Sequence, residues 1–205
     1  FLTFSISYFH FDSRIIVFAL PFIVTSIFFS FIFLNFTAAN LVPILSSSFF
    51  SVFYIGVLMG FIGLIGVSPS SFSSSRNIVF LLMLGTFIGD TGAYAFGRFF
   101  GKHLLAPKLS PKKTWEGALG GFFSTCFFIL LARHFLFPSF SFASTLIFSF
   151  LLSVFCQLGD LSESFLKRGF GVKDSGKIIP GHGGILDRID ALLFGAPIVY
   201  FFFTF

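Results

Sequence analysis

Residues Ser164 to Asp190 read SFLKRGFGVKDSGKIIPGHGGILDRID. Lys167, Arg168, Lys173, Lys177 and Arg188 share this stretch with Asp174, Asp187 and Asp190, in a chain that is only 10% charged. On either side the sequence is apolar for about the length of a membrane crossing, from Phe142 to Leu166 before it and from Gly184 to Phe205 after it. Ionised groups are costly inside a bilayer. The island therefore reads as the aqueous link between two spanning helices, and the fold as an all-α, polytopic transmembrane bundle.

The composition of the 205-residue chain agrees. It is 56% hydrophobic, with 39 Phe residues and a mean hydropathy of +0.98, too apolar for the surface of a soluble domain. Cys126 and Cys156 lie in apolar runs and read as packed thiols. The net charge of +5 reads as membrane topology and contact with anionic lipid headgroups, not as a nucleic-acid footprint. The chain opens on Phe1, and Met59 and Met83 are its only methionines. It is read as one catalytic transmembrane domain, residues 1–205, lacking an N-terminal membrane region.

A helix rises about 1.5 Å per residue, so roughly 20 apolar residues cross the hydrocarbon core. Six windows qualify: about Ile15–Phe36, Phe49–Val67, Ile78–Phe99, Ala118–Phe137, Phe142–Leu166 and Gly184–Phe205. In the second, Gly56 and Gly60 make a small-xxx-small pair suited to close helix approach. In the third, Asp90 starts a polar face with Tyr94 and Arg98 at i, i+4 and i+8, beside Thr91, and a mid-span carboxylate points to a site. The loop from Gly101 to Gly117 carries Lys102, Lys108, Lys112 and Lys113 against Glu116. Lys102 and Lys108 read as topology determinants; Thr114 reads as the N-cap of the fourth helix, and Trp115 as an interfacial anchor. Both basic loops fall on one side of the membrane, which the positive-inside rule makes cytoplasmic.

Seven of the eight acids lie after residue 89, so one site is expected. Asp160, Ser164 and Lys167 stack at i, i+4 and i+7, while Asp187 and Asp190 share a face at the start of the last helix. Carboxylates that converge with substrate phosphates suit Mg²⁺; no Cys lies near, and His103 and His182 are isolated in sequence, which argues against zinc. The Gly-rich turn around His182, Gly183 and Gly184 offers amides at a helix N-terminus, where anions bind. Metal, helix N-terminus and two basic loops together point to phosphoryl or nucleotidyl transfer. No G-x-x-x-x-G-K-[ST] loop occurs, which excludes a P-loop enzyme.

Ser164, Lys167–Arg168, Lys173–Asp174, His182–Gly183–Gly184, Asp187–Arg188 and Asp190 resemble, position by position, the signature of the phosphatidate cytidylyltransferases, or CDP-diacylglycerol synthases. The segments Gly89–His103 and Ser110–Gly117 resemble further parts of that family. The resemblance implies CMP transfer from CTP to phosphatidate with release of pyrophosphate, by a membrane homodimer that needs Mg²⁺, with a monovalent cation such as K⁺ as a further ion of the family. It implies Asp160 and Asp187 as metal ligands. Lys167, Arg168, Lys173 and Arg188 are expected on phosphate oxygens, with hydrogen bonds from Ser164 and from Gly183 and Gly184 beside His182. Ser110, Lys112, Lys113 and Thr114 are expected on the nucleotide, Asp174 and Asp190 either as partners of the basic groups or on a second cation, and Asp90 in the substrate site. The expected location is a bacterial inner membrane with the site facing cytoplasmic CTP. A CDP-archaeol synthase-like enzyme shares this chemistry; a transporter lined by Asp90, Asp160 and Asp187 leaves the HGG turn without a reason, and a lipid-binding scaffold requires the carboxylates to be dispensable.

Overall fold

The computed structural model describes residues 46, 49–50, 52–67, 75–107, 109–178 and 183–204. A π-helical turn, Val52–Val57, runs into α1 (Leu58–Val67). It is followed by α2 (Ser75–Phe100), the short strands β1 (Leu104–Ala106) and β2 (Ser110–Thr114), then α3 (Trp115–Leu136), α4 (Phe142–Gly169) and α5 (Leu186–Thr204). The second to sixth apolar windows thus correspond to helices; the first lies outside the described residues. Among the described residues three helices are long and apolar enough to cross a membrane, over Arg76–Phe100, Trp115–Leu136 and Phe142–Gly169.

The helices are apolar outward. Leu119, Phe123, Phe127, Leu131 and Phe135 of α3 recur every four residues and are exposed, whereas Gly117, Gly120, Gly121, Thr125, Ile129 and Ala132 are buried. The same inversion appears in α4, where Thr145, Ser149 and Ser153 are buried and Ile147 and Phe150 face out. Water would penalise such an arrangement, while lipid tolerates it: Phe solvates well in hydrocarbon, and small or hydroxylated residues let helix backbones close on one another.

α2 and α3 are packed through these small residues. A Cβ added at Gly117 would lie 2.8 Å from the Ala93 carbonyl oxygen and 3.1 Å from Gly97 Cα. At Gly121 it would lie 3.0 Å from both Ala93 Cβ and the Gly89 oxygen. By contrast, nothing among the described residues lies within 4 Å of such a Cβ at Gly60. α4 and α5 meet around Leu152, Leu193, Ala196 and Val199, all fully buried. Phe148 stacks on Phe202 at 4.4 Å, and Phe61 of α1 meets Tyr200 edge-on at 5.5 Å.

The loop between α2 and α3 departs from an all-α reading. β1 and β2 pair antiparallel, Leu104 with Thr114 and Ala106 with Ser110, with an irregularity between. Pro107 and Pro111 lack amide donors and Lys-rich segments usually stay open, so local propensity gives no hint of this ribbon. Glu116 stabilises it from outside: its carboxylate accepts hydrogen bonds from the amides of Lys102 (3.1 Å) and His103 (3.2 Å) and contacts His103 Nδ1 at 2.6 Å. Thr114 caps α3 as its sequence position suggests, its hydroxyl accepting from the Gly117 amide at 3.1 Å.

Candidate active site

Folding the ribbon back over the helix ends makes one wall of a cavity of about 490 Å³. α2 contributes Asp90, Tyr94 and Arg98, which confirms the polar i, i+4, i+8 face; Thr91 instead donates to the Phe87 carbonyl oxygen of its own helix. β2 and the start of α3 contribute Ser110, Lys112, Lys113, Thr114 and Gly117. α4 contributes Gln157, Asp160 and Leu161, and α5 Asp187 and Asp190. A basic wall of Arg98, Lys112 and Lys113 therefore faces an acidic floor of Asp160, Asp187 and Asp190.

The two sides touch. Lys113 Nζ lies 2.6 Å from Asp160 Oδ2, tying the ribbon to α4. Arg98 Nη1 donates to the Tyr94 hydroxyl at 2.9 Å, which holds the guanidinium along α2. Gln157 donates to the Ala118 carbonyl and to Ser153 Oγ, both at 3.1 Å, and so registers α3 against α4 one turn before Asp160.

The acidic floor depends on a close helix crossing. A Cβ at Gly159 would lie 2.6 Å from the Asp190 carbonyl oxygen and 3.0 Å from Phe194 Cβ. Only glycine lets α5 approach near enough for Asp190 to sit beside Asp160. Asp160, Glu163 and Asp190 each offer a carboxylate oxygen, all within 4.8 Å of one another. Glu163 is 1% exposed; Lys167 Nζ contacts its Oε2 at 2.6 Å, and its Oε1 is buried without a hydrogen-bond partner among the described residues. Three hard oxygen donors, one of them buried and unsatisfied, fit a divalent cation of the Mg²⁺ kind.

Asp187 lies beside this group in a different environment. Its Oδ1 accepts from Lys167 Nζ at 2.7 Å, and its Oδ2 accepts from Ser175 Oγ (2.8 Å), the Ser175 amide (3.0 Å) and the Gly184 amide (2.7 Å). The last bond reaches back three residues, as a capping side chain does at a helix start. The Gly184 amide, expected on substrate phosphate, is thus engaged by Asp187. Gly183, at φ +84°, adopts a left-handed conformation that favours glycine. Asp160 and Asp187 both line the cavity, but the carboxylate group within 4.8 Å is completed by Glu163 and Asp190.

The remaining expected residues are spread around the rim. Arg168 is exposed and donates to the carbonyl oxygens of Leu109 (3.3 Å) and Val172 (3.4 Å), linking the end of α4 to the ribbon. Lys173, Asp174 and Arg188 are exposed and Ser164 is half-buried; none of these lines the cavity. His182 and Lys108 lie outside the described residues. Sequence reading did not assign Glu163 or Gln157 to the site. Glu163 had a signal: it stands three residues after Asp160 and four before Lys167, on the same side of α4. Gln157 had none.

Residues 1–205 match the sequence profile of the cytidylyltransferase family. A phosphatidate cytidylyltransferase of Staphylococcus saprophyticus is 43% identical over 176 residues, covering 83% of this chain and 65% of that protein. Proteins of the same name from Staphylococcus haemolyticus and Staphylococcus aureus are 39% and 40% identical over 174 residues, with the same coverage. The chain therefore spans 65% of the length of these relatives.

Proposed function

Because the chain belongs to the cytidylyltransferase family, we propose that it transfers CMP from CTP to phosphatidate, giving CDP-diacylglycerol and pyrophosphate. The observation that carries this reading is the single cavity in which Arg98, Lys112 and Lys113 face Asp160, Asp187 and Asp190 at the end of helices suited to a bilayer. A water-soluble anion and a lipid-borne anion can meet there.

A phosphate oxygen of phosphatidate attacks the α-phosphorus of CTP. The new P–O bond forms as the bond to the β-phosphate oxygen breaks, and pyrophosphate leaves with the electron pair. The nucleophile is already ionised at neutral pH, so no strong general base is needed, and positioning with charge neutralisation does most of the work. Lys112, Lys113 and Arg98 hold phosphate oxygens. Lys113 does so by exchanging its contact with Asp160, which frees that carboxylate. Asp160, with Glu163 and Asp190, would hold Mg²⁺, which when bound offsets charge on the triphosphate and the leaving group. Lys167 Nζ bridges the Glu163 and Asp187 carboxylates, at 2.6 and 2.7 Å, and offsets their charge.

The site faces the cytoplasm of a bacterial inner membrane in this reading, since the basic ribbon and the Ser164–Asp190 link lie on one side. A homodimer and a role for K⁺ belong to the same proposal. Asp187, the second metal ligand expected from sequence, lines the same cavity and in this reading completes the cation site beside Asp160, Glu163 and Asp190. Its Asp187→Asn variant, assayed with CTP and phosphatidate, should lose turnover by about 100-fold or more. Near-normal Mg²⁺-dependent turnover would sink that assignment, and absence of CDP-diacylglycerol from the unaltered protein would sink the reaction itself.

A further inference from the structure

Tyr54 stands in the π-helical turn Val52–Val57, outside the lining of the cavity. It is 5% exposed, and its hydroxyl has no hydrogen-bond partner among the described residues. Its ring stacks on Phe50 at 5.5 Å and tilts against Phe194 at 5.9 Å. Phe194 is four residues beyond Asp190, so the ring that Tyr54 touches and the Asp190 carboxylate share a face of α5.

Among the described residues Tyr54 Oη is a buried donor without a hydrogen-bond partner, on the side of α5 that carries Asp190, and Glu163 Oε1 is a buried acceptor without one. Burying a hydroxyl unpaired is unfavourable, and Phe would fill the aromatic stack equally well without it. The π-turn supplies the means, since its extra residue per turn rotates a side chain that a regular helix would aim elsewhere, and such turns recur at functional sites.

We propose that Tyr54 is a positioning residue for the cation site: its hydroxyl donates, through a bridging water, to the Asp190–Glu163 side of the carboxylate group and fixes those oxygens for metal binding. This rests on the cation reading given under the proposed function. Water-bridged bonds of this kind are nearly as favourable as direct ones, and partners behind a metal's own ligands typically change affinity by about 10-fold or more when removed.

The test is Mn²⁺ binding, followed by electron paramagnetic resonance, to the whole chain purified in lipid nanodiscs. Tyr54→Phe should weaken Mn²⁺ affinity by about 10-fold and raise the Mg²⁺ concentration for half-maximal CTP turnover by the same factor, with the maximal rate and the melting temperature preserved. Phe50→Leu disturbs the same aromatic stack but leaves the hydroxyl, and should leave Mn²⁺ affinity unchanged. Equal affinity in Tyr54→Phe and the unaltered chain overturns the proposal, as does an equal loss in Phe50→Leu, which would assign the effect to packing. If the unaltered chain binds no Mn²⁺, or binds it no better than Asp160→Asn does, the cation reading itself falls and this inference falls with it.

Discussion

Replacing Gly159 with alanine probes the contact on which the acidic floor depends. The new methyl carbon would stand 2.6 Å from the Asp190 carbonyl oxygen, 3.0 Å from Phe194 Cβ and 3.2 Å from Ala191 Cα. Two of these are backbone atoms of a packed helix, so no side-chain rotation relieves the clash. To restore an ordinary 3.4 Å contact the helices must part by about 0.8 Å. Overpacking of this kind costs about 1–3 kcal/mol, and it moves Asp190 away from Asp160 and Glu163. A misplacement near 1 Å lowers a positioned reaction by about 100-fold. Gly159→Ala should therefore melt at lower temperature in detergent and lose most of its CTP- and phosphatidate-dependent turnover, with a higher Mg²⁺ requirement. Gly60→Ala is the control, because nothing among the described residues lies within 4 Å of its added methyl, and it should match the unaltered chain. A Gly159→Ala protein with the same melting temperature and Mg²⁺ dependence would refute the claim that the α4–α5 crossing sets the carboxylate spacing.

Two further outcomes follow from the ion pairs. Lys167→Ala leaves Glu163 buried without its cation; breaking a buried pair in this way costs about 3–5 kcal/mol. Adding Glu163→Gln should recover much of the thermal stability and none of the turnover, and a double variant no more stable than Lys167→Ala alone would show that the pair does not set stability. Glu116→Ala should release the ribbon from Lys102 and His103, raising KM for CTP severalfold while kcat holds, because Lys112 and Lys113 remain present but less constrained. An unchanged KM would show that the ribbon stays in place without that carboxylate.

Membrane helices are legible in a sequence because the bilayer imposes length and apolarity on each segment separately. The windows at 78–99, 118–137, 142–166 and 184–205 accordingly lie within about three residues of α2 to α5. The polar face of Asp90, Tyr94 and Arg98 was equally local, since helical periodicity alone places it. What periodicity cannot state is which faces meet. An added Cβ at Gly60 has nothing among the described residues within 4 Å, whereas Gly117 and Gly121, which carry the same small-xxx-small pattern as Gly56 and Gly60, and Gly159, which has no glycine four residues away, sit at tight crossings.

The Ser164–Asp190 island, read alone, determined that polar chemistry sits between two apolar helices and that carboxylates and cations are concentrated there. Only the tertiary structure decided how they pair. Asp187 is drawn into the turn by Ser175 and Gly184 and bound by Lys167, while Asp160 is joined by Glu163 and Asp190 through the crossing at Gly159. Spacing along a helix assigns a residue to a face. Which oxygen is left free for a ligand depends on donors from other segments, and these become neighbours only when the helices pack.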